Sequence, residues 1–142
     1  MKKLVAYICS GLFCVLFLTA CGVREKPEQV VEVAYYAVAA GDYDAAVLHL
    51  STLDFFNVVQ EAGKDYDHPA WIEFWESVVP TDDIVSIVFD DVRRYKAWTR
   101  VYMTINTSDG TAIPHEQLLL LQEKAWKITM LEFNDPALER TN

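Results

Sequence analysis

The chain has 142 residues, of which 12 are basic and 21 are acidic, so its formal charge is −9 at pH 7. Proteins bind the phosphate backbone of nucleic acids through clustered lysines and arginines, and an acidic surface repels it. The composition therefore argues against a nucleic-acid partner, and the length suits one folded domain.

The first twenty residues have the organisation of an export signal. Lys2 and Lys3 precede a mostly apolar run over residues 4–18. A positive start, an apolar core of about 7–15 residues and a small-residue cleavage site define a secretory signal. A membrane-spanning helix needs about 20 apolar residues, more than this run supplies. The sequence therefore predicts a signal peptide over residues 1–20.

Residues 18–21 read Leu-Thr-Ala-Cys and resemble the lipobox of bacterial lipoproteins. In that class the cysteine is acylated on its sulfur and becomes the mature N-terminus, so the resemblance implies lipidation of Cys21. It also implies three acyl chains, and several chains anchor firmly because each buried CH₂ contributes about 0.8 kcal/mol. The alternative is an ordinary signal followed by a chance cysteine.

The residue after the cysteine bears on location. Gly22 stands where the retention signal of inner-membrane lipoproteins would be Asp. The resemblance thus implies an anchor in the cell envelope, in the outer membrane facing the periplasm if the cell has two membranes. In a cell with one membrane, the anchor would lie on its outer face.

Processing changes both the charge and the thiol content. Removal of residues 1–20 leaves 122 residues, with 10 basic side chains against 21 acidic ones and a formal charge of −11. Cys9 and Cys14 leave with the signal, and Cys21 carries lipid, so no thiol remains for a disulfide. Packing alone is expected to hold the domain together, and its acidic surface is expected to avoid anionic headgroups.

Two helices are predicted after a short polar tether. The first begins at Pro27, since proline fits the first helical turn, and ends at Gly41, which accepts a left-handed cap. Its apolar positions follow helical spacing and are Val30, Val31, Ala34, Tyr35 and Val38. Asp42 is expected to cap a second, short helix.

Two more helices follow. The third is predicted over Thr52–Ala62, and the fourth begins at Pro69 and stops at Pro80. The apolar face of the third is expected to hold Leu53, Phe56 and Val59 or Gln60; that of the fourth holds Trp71, Ile72, Trp75 and Val78 or Val79.

Beyond Thr81 the pattern changes to strands, predicted over residues 84–92, 97–107, 113–122 and 125–133. An Asp-Gly turn at 109–110 and a tight Glu-Lys turn at 123–124 join the last three. The second strand alternates, with Val101, Met103 and Ile105 on one side and Trp98, Arg100, Tyr102 and Thr104 on the other. Helices followed by an antiparallel meander predict an α+β domain.

Two stretches carry a family resemblance: AAGDYDAAVLHLS at residues 39–51 and EKAWKITMLEF at residues 123–133. They resemble the opening helices and closing strand of the nuclear transport factor 2-like superfamily, and more narrowly its small lipoprotein domains of unknown function. The resemblance implies a curved antiparallel sheet of about four strands wrapped around N-terminal helices, forming a cone with a cavity. This domain is expected over residues 28–135, with a lipidated cysteine and tether at 21–27 and a tail at 136–142.

Motifs for catalysis or cofactor binding are scarce. The sequence lacks a glycine-rich phosphate loop, paired histidines at metal spacing and a nucleophile elbow. Asp65, Asp67 and Glu73 hint at calcium, but the EF-hand pattern is missing, and a solvated acidic loop is the simpler interpretation. No cofactor and no metal are predicted.

Enzymes of the resembled superfamily place Asp, His or Tyr inside the cone. On that basis the candidates here are His49, Asp54, Tyr66, Asp90, Arg100 and Tyr102. None of them aligns with a catalytic residue of those enzymes, so no catalytic residue is predicted. His49 is expected at the edge of the core or on the surface.

A ligand pocket is predicted around Arg100. Arg100 shares a strand face with Trp98 and Tyr102, and an aromatic wall with one cation suits an anionic or amphipathic ligand. If that face is instead solvent-exposed, Arg100 only stacks on its aromatic neighbours. Trp71 and Trp75 complete the predicted set, at the mouth of the cone or in the helix–sheet core.

Three functions remain open at this point. The leading hypothesis is a non-enzymatic envelope lipoprotein, anchored to the bilayer through Cys21, that binds a small apolar or anionic ligand or an envelope protein. The second is a small isomerase, cyclase or hydrolase that uses Asp54 or Asp90 with Tyr102. The third is a structural assembly factor with a filled cavity.

Overall fold

The computed structural model describes residues 25–131. The predicted signal peptide, Cys21 and the tail at 136–142 lie outside the described residues. Across 25–131, no helix has the length and apolar character needed to cross a membrane.

Four helices form the first half of the domain, in agreement with the prediction. They are α1 (Pro27–Ala39), α2 (Tyr43–Val47), α3 (Thr52–Ala62) and α4 (Pro69–Val78). Each of the last three begins with a side chain that accepts a hydrogen bond from a backbone N–H of the first turn. Asp42 accepts from the Ala45 N–H at 3.1 Å, the Ser51 hydroxyl accepts from the Asp54 N–H at 3.2 Å, and the His68 ring accepts from the Ala70 N–H at 3.2 Å. These bonds satisfy N–H groups that a helix start leaves unpaired.

Four antiparallel strands form one sheet in the order β1-β2-β3-β4. They are β1 (Ser86–Arg94), β2 (Trp98–Asn106), β3 (Ala112–Gln122) and β4 (Ala125–Thr129). The β3–β4 turn places Glu123 and Lys124 at φ 50° and 68°, as the commonest two-residue hairpin turn requires. The predicted α+β class and the antiparallel meander are confirmed.

The core lies between the helices and one face of the sheet. The predicted stripe of α1 is buried, and so are Val101, Met103 and Ile105 of β2. Their partners across β3 are Gln117, His115 and Ile113, which share the inward face because directly paired residues point the same way. Trp71 and Trp75 of α4 are fully buried in this core.

The predicted apolar face of α3 is wrong. Leu53 and Phe56 are 47% and 54% exposed, whereas Asp54 and Ala62 are buried. Phe55 packs against the core on the same side as Asp54. One apolar stripe of this helix contains Leu53 and Phe56, and another contains Phe55 and Ala62. The hydrogen bonds that join Asp54 to the end of β4 turn the stripe with Phe55 and Ala62 towards the core.

The last strand ends earlier than predicted. The prediction extends it to residue 133, but β4 ends at Thr129, and residues 132 and 133 lie outside the described residues. The Met130 N–H donates to Asp54 Oδ2 at 3.3 Å, and the Leu131 N–H donates to Thr129 Oγ1 at 3.2 Å. Because these donors bond elsewhere, the chain leaves β3 at this point, and the pairing of β4 with β3 covers residues 118–122 of β3.

The other edge of β4 is covered by residues 49–51. Leu50 forms a parallel bridge with Ile128. The Ser51 N–H donates to the Ile128 carbonyl at 2.8 Å, and the Ile128 N–H donates to the His49 carbonyl at 2.7 Å. The start of α3 is thereby fixed to the end of the sheet.

Candidate functional site

The inward face of β3 carries two polar side chains. Residues 113, 115, 117, 119 and 121 share this face, and His115 and Gln117 stand among apolar neighbours. Gln117 is 4% exposed and His115 is half-buried. Burial of such groups is costly unless they are hydrogen-bonded, so their partners show what this part of the core is built for.

Tyr35 of α1 links the two side chains. Its hydroxyl donates to Gln117 Oε1 at 2.7 Å. His115 Nε2 lies 3.0 Å from the Tyr35 oxygen and 3.1 Å from the Val78 carbonyl oxygen. A carbonyl only accepts, so Nε2 carries the proton and donates in this network.

Gln117 extends the network to the end of β4. Its amide nitrogen donates to the Leu118 carbonyl at 2.9 Å and to the Thr129 carbonyl at 3.1 Å. Both ends of the amide are therefore engaged. These hydrogen bonds hold the Gln117 side chain in place and connect α1, β3 and β4 through it.

Burial shifts the acid–base behaviour of both ring side chains. It raises the pKa of the fully buried Tyr35 hydroxyl, which therefore stays a neutral donor. It lowers the pKa of His115, an effect partly offset by the Val78 carbonyl and the Glu116 carboxylate. His115 is therefore neutral at pH 7, with a lone pair on Nδ1, and within residues 25–131 no hydrogen bond to Nδ1 is formed.

A cleft of about 350 Å³ opens beside this network. We call it the β3–α4 cleft. Its walls come from the end of α4, the edge of β3 that β4 leaves unpaired, and the chain that follows β4. The residues that line it are Ser77, Val78, Arg100, His115, Glu116, Gln117, Leu118, Thr129, Met130 and Leu131.

Arg100 supplies the positive charge of the cleft. Its side chain is 30% exposed, and its Nη1 lies 3.6 Å from Glu116 Oε2. Its guanidinium also lies 5.9 Å from the Trp98 ring. The ion pair is longer than a hydrogen bond, and the Glu116 side chain is 56% exposed, so the guanidinium retains donors for another partner.

A second buried polar cluster lies next to the cleft. Asp54, 5% exposed, accepts from the Ser51 hydroxyl, the Thr129 hydroxyl at 2.7 Å and the Met130 N–H at 3.3 Å. Ser51 and Thr129 are also buried. These contacts occupy Asp54 in holding α3 to the end of β4.

The other acid–base candidates lie apart from Asp54. Asp90 stands at a β-bulge of β1 and accepts from the Thr104 hydroxyl at 2.9 Å. The Arg93 guanidinium lies over the Tyr102 ring, with its Cζ atom 4.8 Å from the ring centroid. Asp90 and Tyr102 border a shallow depression of about 430 Å³ beside Glu116, so the structure brings these two together but not with Asp54.

The remaining candidates, Tyr66 and His49, do not line the cleft. Tyr66 packs on Trp71, with ring centroids 5.4 Å apart. His49 precedes α3, and burial lowers its pKa. The acidic residues Asp65, Asp67 and Glu73 belong to no metal-binding group, because residues 25–131 hold no cluster of three or more such ligands.

The predicted pocket set is divided by the sheet. Trp98, Arg100 and Tyr102 lie on the face opposite Val101 and Met103, and of the five only Arg100 lines the cleft. Trp71 and Trp75 are fully buried in the helix–sheet core, the second of the two positions expected for them, and neither lines the cleft. The Trp71 indole N–H donates to the Gly63 carbonyl at 3.0 Å.

Sequence reasoning missed His115 and Gln117 and assigned Tyr35 only to the core. A signal for the first two was present. Because side chains alternate along β3, His115 and Gln117 share a strand face with Ile113, Leu119 and Leu121. Polar residues within an otherwise apolar strand face indicate a buried hydrogen-bond network. The partner on α1 follows only from the packing.

Comparisons bear on the fold. No protein-family model and no curated protein matches the chain. The structure is similar to the crystal structure of a Campylobacter jejuni protein named as an NTF2-like transpeptidase, with a TM-score of 0.50 and 9% sequence identity over 73% of this chain and 97% of that one. The curved four-stranded sheet with its N-terminal helices is thus a nuclear transport factor 2-like fold.

Proposed function

We propose that this chain is a lipid-anchored, non-enzymatic binding module of the cell envelope, which holds a small anionic ligand in the β3–α4 cleft. The observation that carries the proposal is the lining of the cleft. The cleft is lined by the incompletely paired Arg100 guanidinium on the outer face of the sheet and, around the open edge of β3, by polar groups on the inward face that are already fixed by hydrogen bonds. Fixed groups lose little entropy when a ligand binds, which favours affinity.

The charge of Arg100 selects the ligand class. A guanidinium presents donors in a planar fork that matches a carboxylate or a phosphate. Glu116 sits at ion-pair distance and is more than half exposed, so a ligand anion can replace it with little loss. The overall charge of the chain is negative, and an isolated cation in a cleft therefore favours a small anion over a large anionic surface.

The described residues of the cleft do not form the arrangement that acyl transfer through a serine needs. A serine nucleophile requires a base within hydrogen-bond reach, but the Ser77 hydroxyl donates to the Phe74 carbonyl at 2.5 Å. Asp54 is occupied by three donors, and Tyr102 does not line the cleft. The transpeptidase activity in the name of the Campylobacter protein is therefore not part of this proposal.

The anchor is supported by the sequence. Cys21 follows the apolar run after the small residues Thr19 and Ala20, and five residues separate it from the start of α1 at Pro27. Such a tether holds the domain within about 20 Å of the bilayer, because an extended chain spans about 3.3–3.6 Å per residue.

Ligand binding is tested with the detergent-solubilised lipoprotein and two probes, succinate and inorganic phosphate. A bound probe at ten times its Kd stabilises the fold by about 1.4 kcal/mol and raises the Tm. We expect this increase in the wild type and in Arg93→Gln, an exposed arginine on the outer face, and its loss in Arg100→Gln. An equal response of all three proteins would contradict the assignment of the cleft.

The anchor is tested by metabolic labelling with an alkyne fatty acid. We expect Cys21→Ser to abolish labelling and to release the protein from membranes. The matched variant Cys14→Ser, within the signal peptide, should retain both properties. Labelling that persists in Cys21→Ser would refute the anchor.

A further inference from the structure

An apolar surface remains exposed at the start of α3. It consists of Leu48, Leu53 and Phe56, which are 68%, 47% and 54% exposed, and we call it the α3 apolar surface. Leu53 and Phe56 are three residues apart and therefore lie on the same side of the helix. Asn57 and Gln60, also exposed on this helix, carry no charge. Leu48, Leu53 and Phe56 themselves carry no charge, whereas Lys127 donates to the Leu48 carbonyl and Glu61 is exposed one turn after Asn57.

The surface lies near the point where the chain leads towards Cys21. Helix α1 packs against β4, and Leu50, two residues after Leu48, pairs with Ile128 of β4. Glu28, in the first turn of α1, lies 3.7 Å from Arg94 at the end of β1. The Thr52 N–H, in the first turn of α3, donates to Gln122 at the end of β3 at 3.0 Å, so both helices begin at the same end of the sheet. Glu25 is only four residues from Cys21, a span of at most about 14 Å.

We infer that the α3 apolar surface is a second membrane contact, seated in the boundary between headgroups and acyl chains of the bilayer that holds Cys21. The inference rests on the proposed anchor. Once the acyl chains are inserted, contact by the domain becomes an intramolecular step with a high effective concentration. A few partly exposed apolar side chains then suffice, although they would not hold the domain on a membrane alone.

The size and charge of the surface favour lipid over protein. A stable dimer or complex buries at least about 1,200 Å², and three partly exposed side chains fall well short of that area. The acidic domain gains nothing from anionic headgroups. The contact should therefore be stronger on zwitterionic than on anionic vesicles, and on zwitterionic vesicles it should be insensitive to salt, because no charge repulsion is screened there.

The test uses the processed lipoprotein reconstituted into phosphatidylcholine vesicles that contain lipids with a quencher on the acyl chain. Acylation of Cys21 leaves no other thiol in the mature chain, so an introduced cysteine is labelled uniquely with a fluorophore. Asn57→Cys reports on the α3 apolar surface, and Ser108→Cys, on the exposed β2–β3 turn, is the matched distant site.

We expect quenching at position 57 to exceed that at position 108 at least twofold. Leu53→Ser and Phe56→Ser should each lower the population in contact about fivefold, because roughly half of a large apolar side chain is lost from the contact. Val88→Ser, a 50% exposed valine on the sheet, should have no effect. All three side chains are exposed, so folding should be retained.

Three outcomes separate the explanations. Equal quenching at the two positions would overturn the membrane contact. Quenching that grows with protein density in the vesicles would assign the surface to a second copy and would also overturn it. Failure of the unlabelled protein to float with vesicles would instead refute the anchor, and flotation is measured first for that reason.

Discussion

Replacement of Asp54 by alanine tests whether the cluster at the end of β4 holds the two halves of the domain together. Asp54 is 5% exposed and accepts from Ser51, Thr129 and the Met130 N–H. A hydrogen bond to a charged group contributes about 1.5–3 kcal/mol, and its loss leaves buried donors unpaired. Two strong bonds and one longer bond therefore predict a loss of about 3–4 kcal/mol in the free energy of unfolding.

The assay is urea denaturation followed by circular dichroism, with thermal melts in parallel. A domain of about 100 residues loses roughly 4–8 °C of Tm per kcal/mol, so the Tm should fall by about 15–25 °C. Asp65→Ala, in the exposed loop before α4, is the matched control and should change stability by less than about 0.5 kcal/mol. In a double-mutant cycle, Asp54→Ala and Thr129→Val should couple by about 1 kcal/mol or more. Additive effects, or an Asp54→Ala variant as stable as the control, would refute the reasoning.

Three other predictions concern the network and one turn. Tyr35→Phe should cost about 1–3 kcal/mol, because it leaves the buried Gln117 oxygen without its donor, whereas Tyr36→Phe, at an exposed site, should be neutral in the same denaturation assay. The free energy of unfolding should fall as the pH drops below about 6.5. Burial lowers the pKa of His115 in the folded state, so the unfolded chain binds more protons in this range. In urea melts, the difference in stability between pH 5 and pH 7 should be smaller for His115→Gln than for the wild type. Gly110→Ala should cost about 1 kcal/mol in thermal melts, because the residue has φ 85° and a Cβ there meets no atom within 4 Å, so only the backbone is strained.

The fold was predictable because its signals are local. Pro27, Gly41 and the Asp-Gly turn act on their own neighbours, and the alternation of β2 requires no knowledge of other segments. The error on α3 arose where local pattern was ambiguous. Leu53 and Phe56 form one apolar stripe, and the side containing Phe55 and Ala62 forms another, so only the contact of Asp54 with β4 could decide between them.

The cleft was harder to predict because it depends on distant pairings. Arg100 was identified as a cation beside aromatic residues, but its neighbours in the cleft come from α4, β3 and the end of β4. Tyr35 and Gln117 are 82 residues apart. No periodicity within one segment encodes such a contact. The position of His115 and Gln117 on the inward face of β3 indicated only that both side chains need hydrogen-bond partners in the core.

The pairing of residues 49–51 with β4 affects how the sheet behaves towards other chains. An uncovered strand edge can act as a template for cross-β growth. Here the β4 edge is already occupied by Leu50 and its neighbours. The β1 edge carries a bulge at Asp90 and exposed charges, and the unpaired stretch of β3 contains Pro114, which has no N–H to offer. Within residues 25–131, each exposed strand edge is therefore obstructed by a different local feature.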